Sequence, residues 1–174
     1  RQKRLLKGVP AMSKSMIVIA MMALSVLLIA FVGRERALTV VFGSIEIKPF
    51  DFSSLVPGPK PNQFLVCPAD YCAVNPQMIS PTFTVTADAL RQRWVTMIEA
   101  QPRIEAGTVD DQAMQYDYIQ RSAVILYPDS ITVRFIELEN GGSTLAIYSR
   151  SHYGNSDFGV NENRVKAWLA ALVD

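Results

Sequence analysis

A run of seventeen uncharged residues, positions 16–32, constrains this chain more than any other feature. It reads MIVIAMMALSVLLIAFV, and Ser25 is its only polar member. With Ser15 and Gly33 the run is long enough to cross the roughly 30 Å hydrocarbon core of a bilayer as a helix. A helix on the core of a soluble domain would carry a polar stripe, and this run has none. We therefore predict a single transmembrane helix over residues 15–33.

A cleaved signal peptide is the main alternative, because it also has a basic start and an apolar middle. The run is longer than an ordinary signal core, and no small-x-small site follows it. The exit reads Phe31-Val32-Gly33-Arg34. These features favour an uncleaved anchor.

Charge predicts the orientation of this anchor. Five basic residues and no acidic residue precede the run, so the positive-inside rule leaves residues 1–14 in the cytoplasm as a basic tail. The rest of the chain then lies in the periplasm or an equivalent lumen. The basic residues are Arg1, Lys3, Arg4, Lys7 and Lys14.

The part of the chain beyond the helix is acidic. From Ala37 onward it has 10 Lys and Arg against 15 Asp and Glu, a net charge of −5. Nucleic-acid binding requires a basic face, so we expect no such partner. Membrane lipids are the expected contact of the basic tail.

Two cysteines, Cys67 and Cys72, lie in the sequence CPADYC. In an oxidising compartment we expect them to form a disulfide that closes this small loop, with two free thiols as the alternative. Zinc is poorly supported, because there is no second cysteine pair and His152 is the one histidine. We expect no metal and no cofactor.

The connection between the helix and the folded domain covers residues 34–61. Residues 37–47 suit either a strand or a continuation of the helix. Residues 48–61, KPFDFSSLVPGPKP, predict an extended connector, because each proline fixes φ and removes a hydrogen-bond donor. The globular domain is predicted at residues 62–174.

This domain shows the pattern of an α+β fold. A short strand, TFTV, follows Pro81, and Thr86 is the predicted N-cap of a helix over residues 87–101. A final helix follows Asn161, which is its predicted cap. Two helices on one face of an antiparallel meander of about four to five strands are the expected architecture. The four later strands are predicted at 103–108, 114–122, 130–137 and 144–151.

Residues 147–164, IYSRSHYGNSDFGVNENR, combine hydroxyl, amide, acidic and basic side chains between the last strand and the last helix. This signature resembles that of a bacterial family, the domain of unknown function numbered 1499, over roughly residues 61–173. An arginine-serine pair on an earlier strand and a proline-asparagine pair before the cysteine loop also match. One departure is His152, where the family more often has arginine. The matching signature positions are Ser149, Arg150, Ser151, Gly154, Ser156, Asp157, Gly159, Asn161 and Arg164; the pairs are Arg121-Ser122 and Pro61-Asn62.

The resemblance implies a bacterial envelope location but no activity, so three interpretations of the segment remain. In the first, its polar side chains form a structural network in which Asp157 and Ser156 satisfy turn amides and an arginine pairs with Asp157. In the second, three arginines converge with the helix N-terminus to bind an anion. In the third, Ser149 or Ser151 acts as a nucleophile with His152 and Asp157. The three arginines are Arg121, Arg150 and Arg164.

The network is the favoured interpretation, and with it a protein that has no catalytic residues. We expect an accessory or assembly subunit of a heteromeric complex in the bacterial inner membrane. A periplasmic binding module for an anionic lipid or envelope metabolite is the first alternative, and a hydrolase is the second.

Overall fold

A computed structural model describes residues 13–33, 36–37, 39–40, 45, 47–139 and 141–173. The chain divides into two compact units, residues 1–43 and residues 44–174. Most of the predicted basic tail, residues 1–12, lies outside the described residues. Of the ambiguous segment 37–47, the described residues Ala37, Thr39 and Val40 are helical.

The first unit contains α1 (Lys14–Val32), which follows the predicted apolar run. The Ser13 hydroxyl caps its start by accepting a hydrogen bond from the Met16 amide at 3.3 Å. Gly33 ends it with φ of 84°, a conformation that glycine adopts without strain. No part of the window Lys14–Phe31 is buried. By length and composition α1 can cross a membrane, as an anchor or as a signal sequence.

The second unit is an α+β domain built on a six-stranded mixed sheet with strand order β2-β1-β6-β5-β4-β3. Only β2 runs parallel to its neighbour β1. The strands are β1 (Gln63–Cys67), β2 (Met78–Ile79), β3 (Ile104–Asp110), β4 (Gln115–Arg121), β5 (Pro128–Glu137) and β6 (Ser143–Ser151). The helices are α2 (Ala87–Glu99) and α3 (Val160–Val173).

The main core lies between one face of the sheet and the two helices. Trp94 of α2 is fully buried, and its ring meets Trp168 of α3 at 5.6 Å and Phe135 of β5 at 6.1 Å. Both ring pairs are edge-to-face, a geometry that adds to the stabilisation from apolar burial. The two helices therefore lie on one face, as the amphipathic pattern predicts.

The opposite face of the sheet carries a second, smaller core. Phe52 and Leu55 are buried there against Leu65, Ala146 and Tyr148. The disulfide between Cys67 and Cys72 borders this core, so the predicted pairing of the cysteines is confirmed. Such a small covalent loop contributes about 2 kcal/mol by restricting the unfolded chain.

Four features depart from the prediction. The segment 50–55 is a packed turn, whereas the prolines indicate an extended connector. Strands β1 and β2 are additional to the predicted meander, and the predicted strand at TFTV is a single bridge from Phe83 to Ser143. Asn161 does not cap α3, because the helix already starts at Val160 and the Asn161 side chain is buried.

Candidate functional site

The polar side chains of the last strand and last helix form a closed cluster on the helical side of the sheet. The Ser149 hydroxyl donates to Asn161 Oδ1 at 2.6 Å. Arg164 donates to both of these oxygens, at 3.1 Å and 3.0 Å, and its other terminal nitrogen pairs with Asp129 Oδ2 at 2.5 Å. We call Asp129, Ser149, Ser151, Asp157, Asn161 and Arg164 the helix-side cluster.

Asn161 is the centre of this cluster. Its side-chain amide donates to the Asn62 carbonyl at 3.2 Å, to Ser151 Oγ at 3.0 Å and to Asp157 Oδ2 at 2.8 Å. Because Asn161 is fully buried, these three acceptors share its two amide N–H donors in place of water. The cluster thereby joins the start of β1, the end of β6 and the first turn of α3.

Asp157 caps α3 in place of Asn161. It accepts the backbone amides of Gly159 at 3.2 Å and Asn161 at 2.8 Å. Partial burial acts to raise its pKa, but the hydrogen bonds from Asn161 and Gly159 outweigh burial and lower the pKa of this carboxyl. Ser156 accepts the Phe158 amide at 3.2 Å, so both turn residues satisfy backbone donors.

Arg150 lies on the opposite face of the sheet, because neighbouring residues of a strand point in opposite directions. Its guanidinium lies 4.8 Å from the Tyr148 ring and 5.3 Å from the Phe50 ring, and it donates to Thr132 Oγ1 at 3.4 Å. Burial lowers the pKa of Arg150 and raises the pKa of Asp117 nearby. We call Asp117, Ser130, Thr132, Arg150 and His152 the reverse-face cluster.

His152 belongs to this reverse-face cluster. Its Nε2 lies 2.5 Å from the hydroxyl of Ser130, which is fully buried. Burial lowers the pKa of His152, the positive charge of Arg150 lowers it further, and Asp129 opposes both. No motif in the sequence indicates this Ser–His contact, because the pairing of β5 with β6 creates it.

The candidate triad is therefore split between the two faces. Ser149 and Ser151 bond to Asn161, while His152 contacts Ser130 instead. The three arginines of the anion hypothesis are also divided. Arg150 is on the reverse face, whereas Arg121 and Arg164 line one hollow of ≈ 540 Å³ together with Arg103.

Arg121 and Ser122 stand at the end of β4. Arg121 pairs with Glu105 at 3.4 Å, and its carbonyl accepts from Arg103 Nε at 3.0 Å. The Ser122 hydroxyl accepts the Tyr127 amide at 3.0 Å and so shapes the following loop. Across the part of the chain that the structure describes, no group of three or more His, Cys, Asp or Glu side chains could hold a metal ion.

Comparison with known proteins places this α+β domain in a family. Residues 55–172 match the profile of "Protein of unknown function (DUF1499)", so the chain belongs to the DUF1499 family and the resemblance seen in the sequence is confirmed. A search of curated proteins finds no match.

Among solved structures, the domain is similar to the crystal structure of Ara h 8.0201. The two sequences are 17% identical, with a TM-score of 0.41, and the match covers 53% of this chain and 90% of that one.

Proposed function

We propose that this protein is a membrane-anchored accessory subunit of a larger heteromeric complex in the bacterial inner membrane, without catalytic activity of its own. The observation that carries the proposal is α1, which is long enough to span a bilayer, has no charged residue after Lys14 and has no buried side chain over Lys14–Phe31. Such a helix fixes the domain at the membrane and raises its effective concentration near other membrane proteins.

The apolar helix and the disulfide together indicate an extracytoplasmic domain. Two further features support an anchor with the N-terminus in the cytoplasm. Basic residues precede the helix, and no small-x-small cleavage site follows it. The location that we propose for the domain is therefore the periplasm.

The site geometry favours a structural role for the family signature. A catalytic nucleophile must reach a substrate, yet Ser149 is fully buried and its hydroxyl is shared between Asn161 and Arg164. Asp157 is occupied by two helix amides. These side chains fix how α3 meets the sheet and so give the domain a rigid shape for assembly.

A purification from native membranes tests the subunit role. The full chain with a C-terminal tag is extracted in mild detergent, and co-purifying proteins are quantified by mass spectrometry. We expect membrane proteins in fixed stoichiometry, and a chain whose mass retains residues 15–33. Recovery of the chain alone, or of a polypeptide lacking α1, contradicts the proposal. A control in which Leu24→Arg and Leu27→Arg interrupt the apolar helix should lose the partners.

A second candidate, binding of an anionic amphiphile, is favoured by the hollow that Arg121 and Arg164 share. Three cations line it beside the apolar surfaces of Met97, Trp168 and Ala171. A phosphate or carboxylate headgroup suits the guanidinium groups, and its chain suits the apolar wall.

A thermal-shift titration with short-chain phosphatidylglycerol tests this second candidate. Stabilisation should vanish in Arg103→Gln and persist in the matched control Arg93→Gln, which changes an exposed arginine of α2 outside this hollow. Equal stabilisation of both variants, or none in the parent chain, removes this candidate.

A further inference from the structure

The two ends of the sheet present different chemistry. Register pairs Arg121 with Pro128 and Asp129 with Ser151, so the loops 122–127 and 152–159 emerge at the same end. The β3–β4 turn, residues 111–114, and the described residues 138–139 and 141–142 between β5 and β6 lie at the other end. We call these the apolar end and the acidic end.

Large apolar side chains stand exposed at the apolar end. Phe158 is 93% exposed and Val124 is 74% exposed, and Ile125 and Val160 are about half exposed. They border one hollow of ≈ 410 Å³ between the two loops. Phe158 also has φ of 53°, an unfavourable conformation for a residue with a side chain. Exposed apolar side chains that are contiguous in this way are typical of an interaction surface.

Charge distinguishes the two ends as well. The loop 122–127, SAVILY, has no charge, and exposed Lys60 and Arg103 lie at the same end. At the acidic end, Arg91 and Arg134 are engaged by Asp88 and Asp51. Further acidic residues are exposed there, namely Asp110, Asp111, Glu137 and Glu139.

We propose that the apolar end of the domain inserts into the interfacial region of a bilayer that contains anionic phospholipid. Apolar residues of two loops would enter the headgroup and acyl boundary, while the cations meet phosphates. Tyr127 and Tyr153, whose rings pack at 5.7 Å, provide the amphipathic rings that favour this region. The acidic end is repelled by the same surface, which sets the orientation of the domain.

This proposal goes beyond the subunit role, because it gives the folded domain a lipid-contacting surface of its own. A tryptophan reporter at the loop tip tests it. Phe158→Trp places the reporter at the apolar end, and Val109→Trp, at a position 55% exposed near the acidic end, is the matched control. The native Trp94 and Trp168 are buried, so the parent chain supplies the background signal.

Each full-length variant is reconstituted into phosphatidylglycerol-containing vesicles with or without brominated acyl chains. We expect bromolipid to quench the reporter of Phe158→Trp about twofold, and the reporter of Val109→Trp little, because only the first reaches the acyl boundary. Adding Lys60→Glu and Arg103→Glu should reduce the quenching of Phe158→Trp.

Equal quenching of the two reporters, or quenching of neither, overturns the proposal. If the position-158 reporter is shielded in native membranes but not in pure lipid vesicles, a protein and not lipid covers the apolar end. That result also overturns the proposal. The vesicles hold no other protein, so the result is independent of whether partners co-purify with the chain.

Discussion

The helix-side cluster and the reverse-face cluster lie on opposite faces of β5 and β6, and each contains a largely buried arginine. The two arginines are held by different interactions. Arg164 forms an ion pair of 2.5 Å with Asp129, both largely buried, and bonds to two further oxygens. Arg150 is held by two aromatic rings and a hydrogen bond of 3.4 Å. Burial lowers the pKa of Arg150 and raises the pKa of Asp117, so it favours the neutral form of both groups.

This difference indicates which cluster contributes more to the free energy of unfolding. A buried ion pair adds little net stability compared with apolar packing, but removing one partner leaves an unpaired buried charge and is costly. The helix-side cluster also joins three elements through one asparagine, whereas Arg150 of the reverse-face cluster is held mainly by the rings of Phe50 and Tyr148. We therefore expect the free energy of unfolding to depend more on the helix-side cluster.

The largest expected effect is that of Arg164→Met. It leaves the buried Asp129 carboxylate without its ion pair, and we expect a loss of about 3–5 kcal/mol in the free energy of unfolding. Urea unfolding followed by circular dichroism measures it. Lys166→Met, which removes an exposed i,i+4 pair with Glu162, is the control and should change little. A small loss of unfolding free energy in Arg164→Met would contradict the larger contribution expected of the helix-side cluster.

Asn161→Ala should have the next largest effect. The buried Ser149 side chain, the partly buried Asp157 side chain and the Asn62 carbonyl each lose a partner, for which we expect a loss of about 2–3 kcal/mol in the free energy of unfolding. The exposed Asn163, two residues along the same helix, provides Asn163→Ala as the matched control. If both variants unfold at the same urea concentration, Asn161 is not the centre of the cluster.

A smaller loss is expected for Arg150→Met. Methionine keeps most of the apolar contact with Tyr148 and Phe50, so the cost is that of the cation–π contacts and one long hydrogen bond, about 1–2 kcal/mol. The same urea experiment measures it. A loss equal to that of Arg164→Met would show that the two faces contribute alike.

The smallest expected effect is a difference between the two clusters in how the free energy of unfolding depends on pH. The folded state lowers the pKa of His152 below its ordinary 6.5, so the folded state binds fewer protons there than the unfolded state. Stability from this group is present above pH 6.5 and is lost as the pH falls from 6.5 through the folded-state pKa. His152→Gln should flatten that part of the stability profile.

Asp157 provides the corresponding test for the helix-side cluster. Its folded-state pKa is lowered from 3.8, so its contribution persists at mildly acidic pH and is lost only as the pH falls through that lower value. Asp157→Asn should therefore leave the profile near pH 6 unchanged. Loss of the pH 6 dependence in Asp157→Asn, and its persistence in His152→Gln, would reverse this assignment.

The meander from β3 to β6 was predictable, since its strands are separated by turn residues such as Asp111 and Gly141. Strand β1 was not, because QFLVC has apolar residues on both faces and lacks the alternation that marks a half-buried strand. The second core explains this pattern, since it covers the face that water would otherwise meet.

The division of the candidate site between two faces could have been predicted in part. Ser149 and Arg150 are neighbours on one strand, so their side chains point apart, and this alone separates Arg150 from Arg164. The contacts of Asn161 could not be predicted. They depend on the register that brings Asn62, ninety-nine positions away, beside it.

The pairing of β1 with β6 has a consequence for the order in which the chain folds. Strand β1 hydrogen-bonds to β6, as in Leu65 with Tyr148, so the sheet cannot be completed until the chain is available as far as Ser151. Folds closed by contacts so distant in sequence form slowly and expose strand edges meanwhile. A ribosome or translocon that still holds the C-terminal residues would keep the domain open, and a late truncation would disrupt its beginning as well as its end.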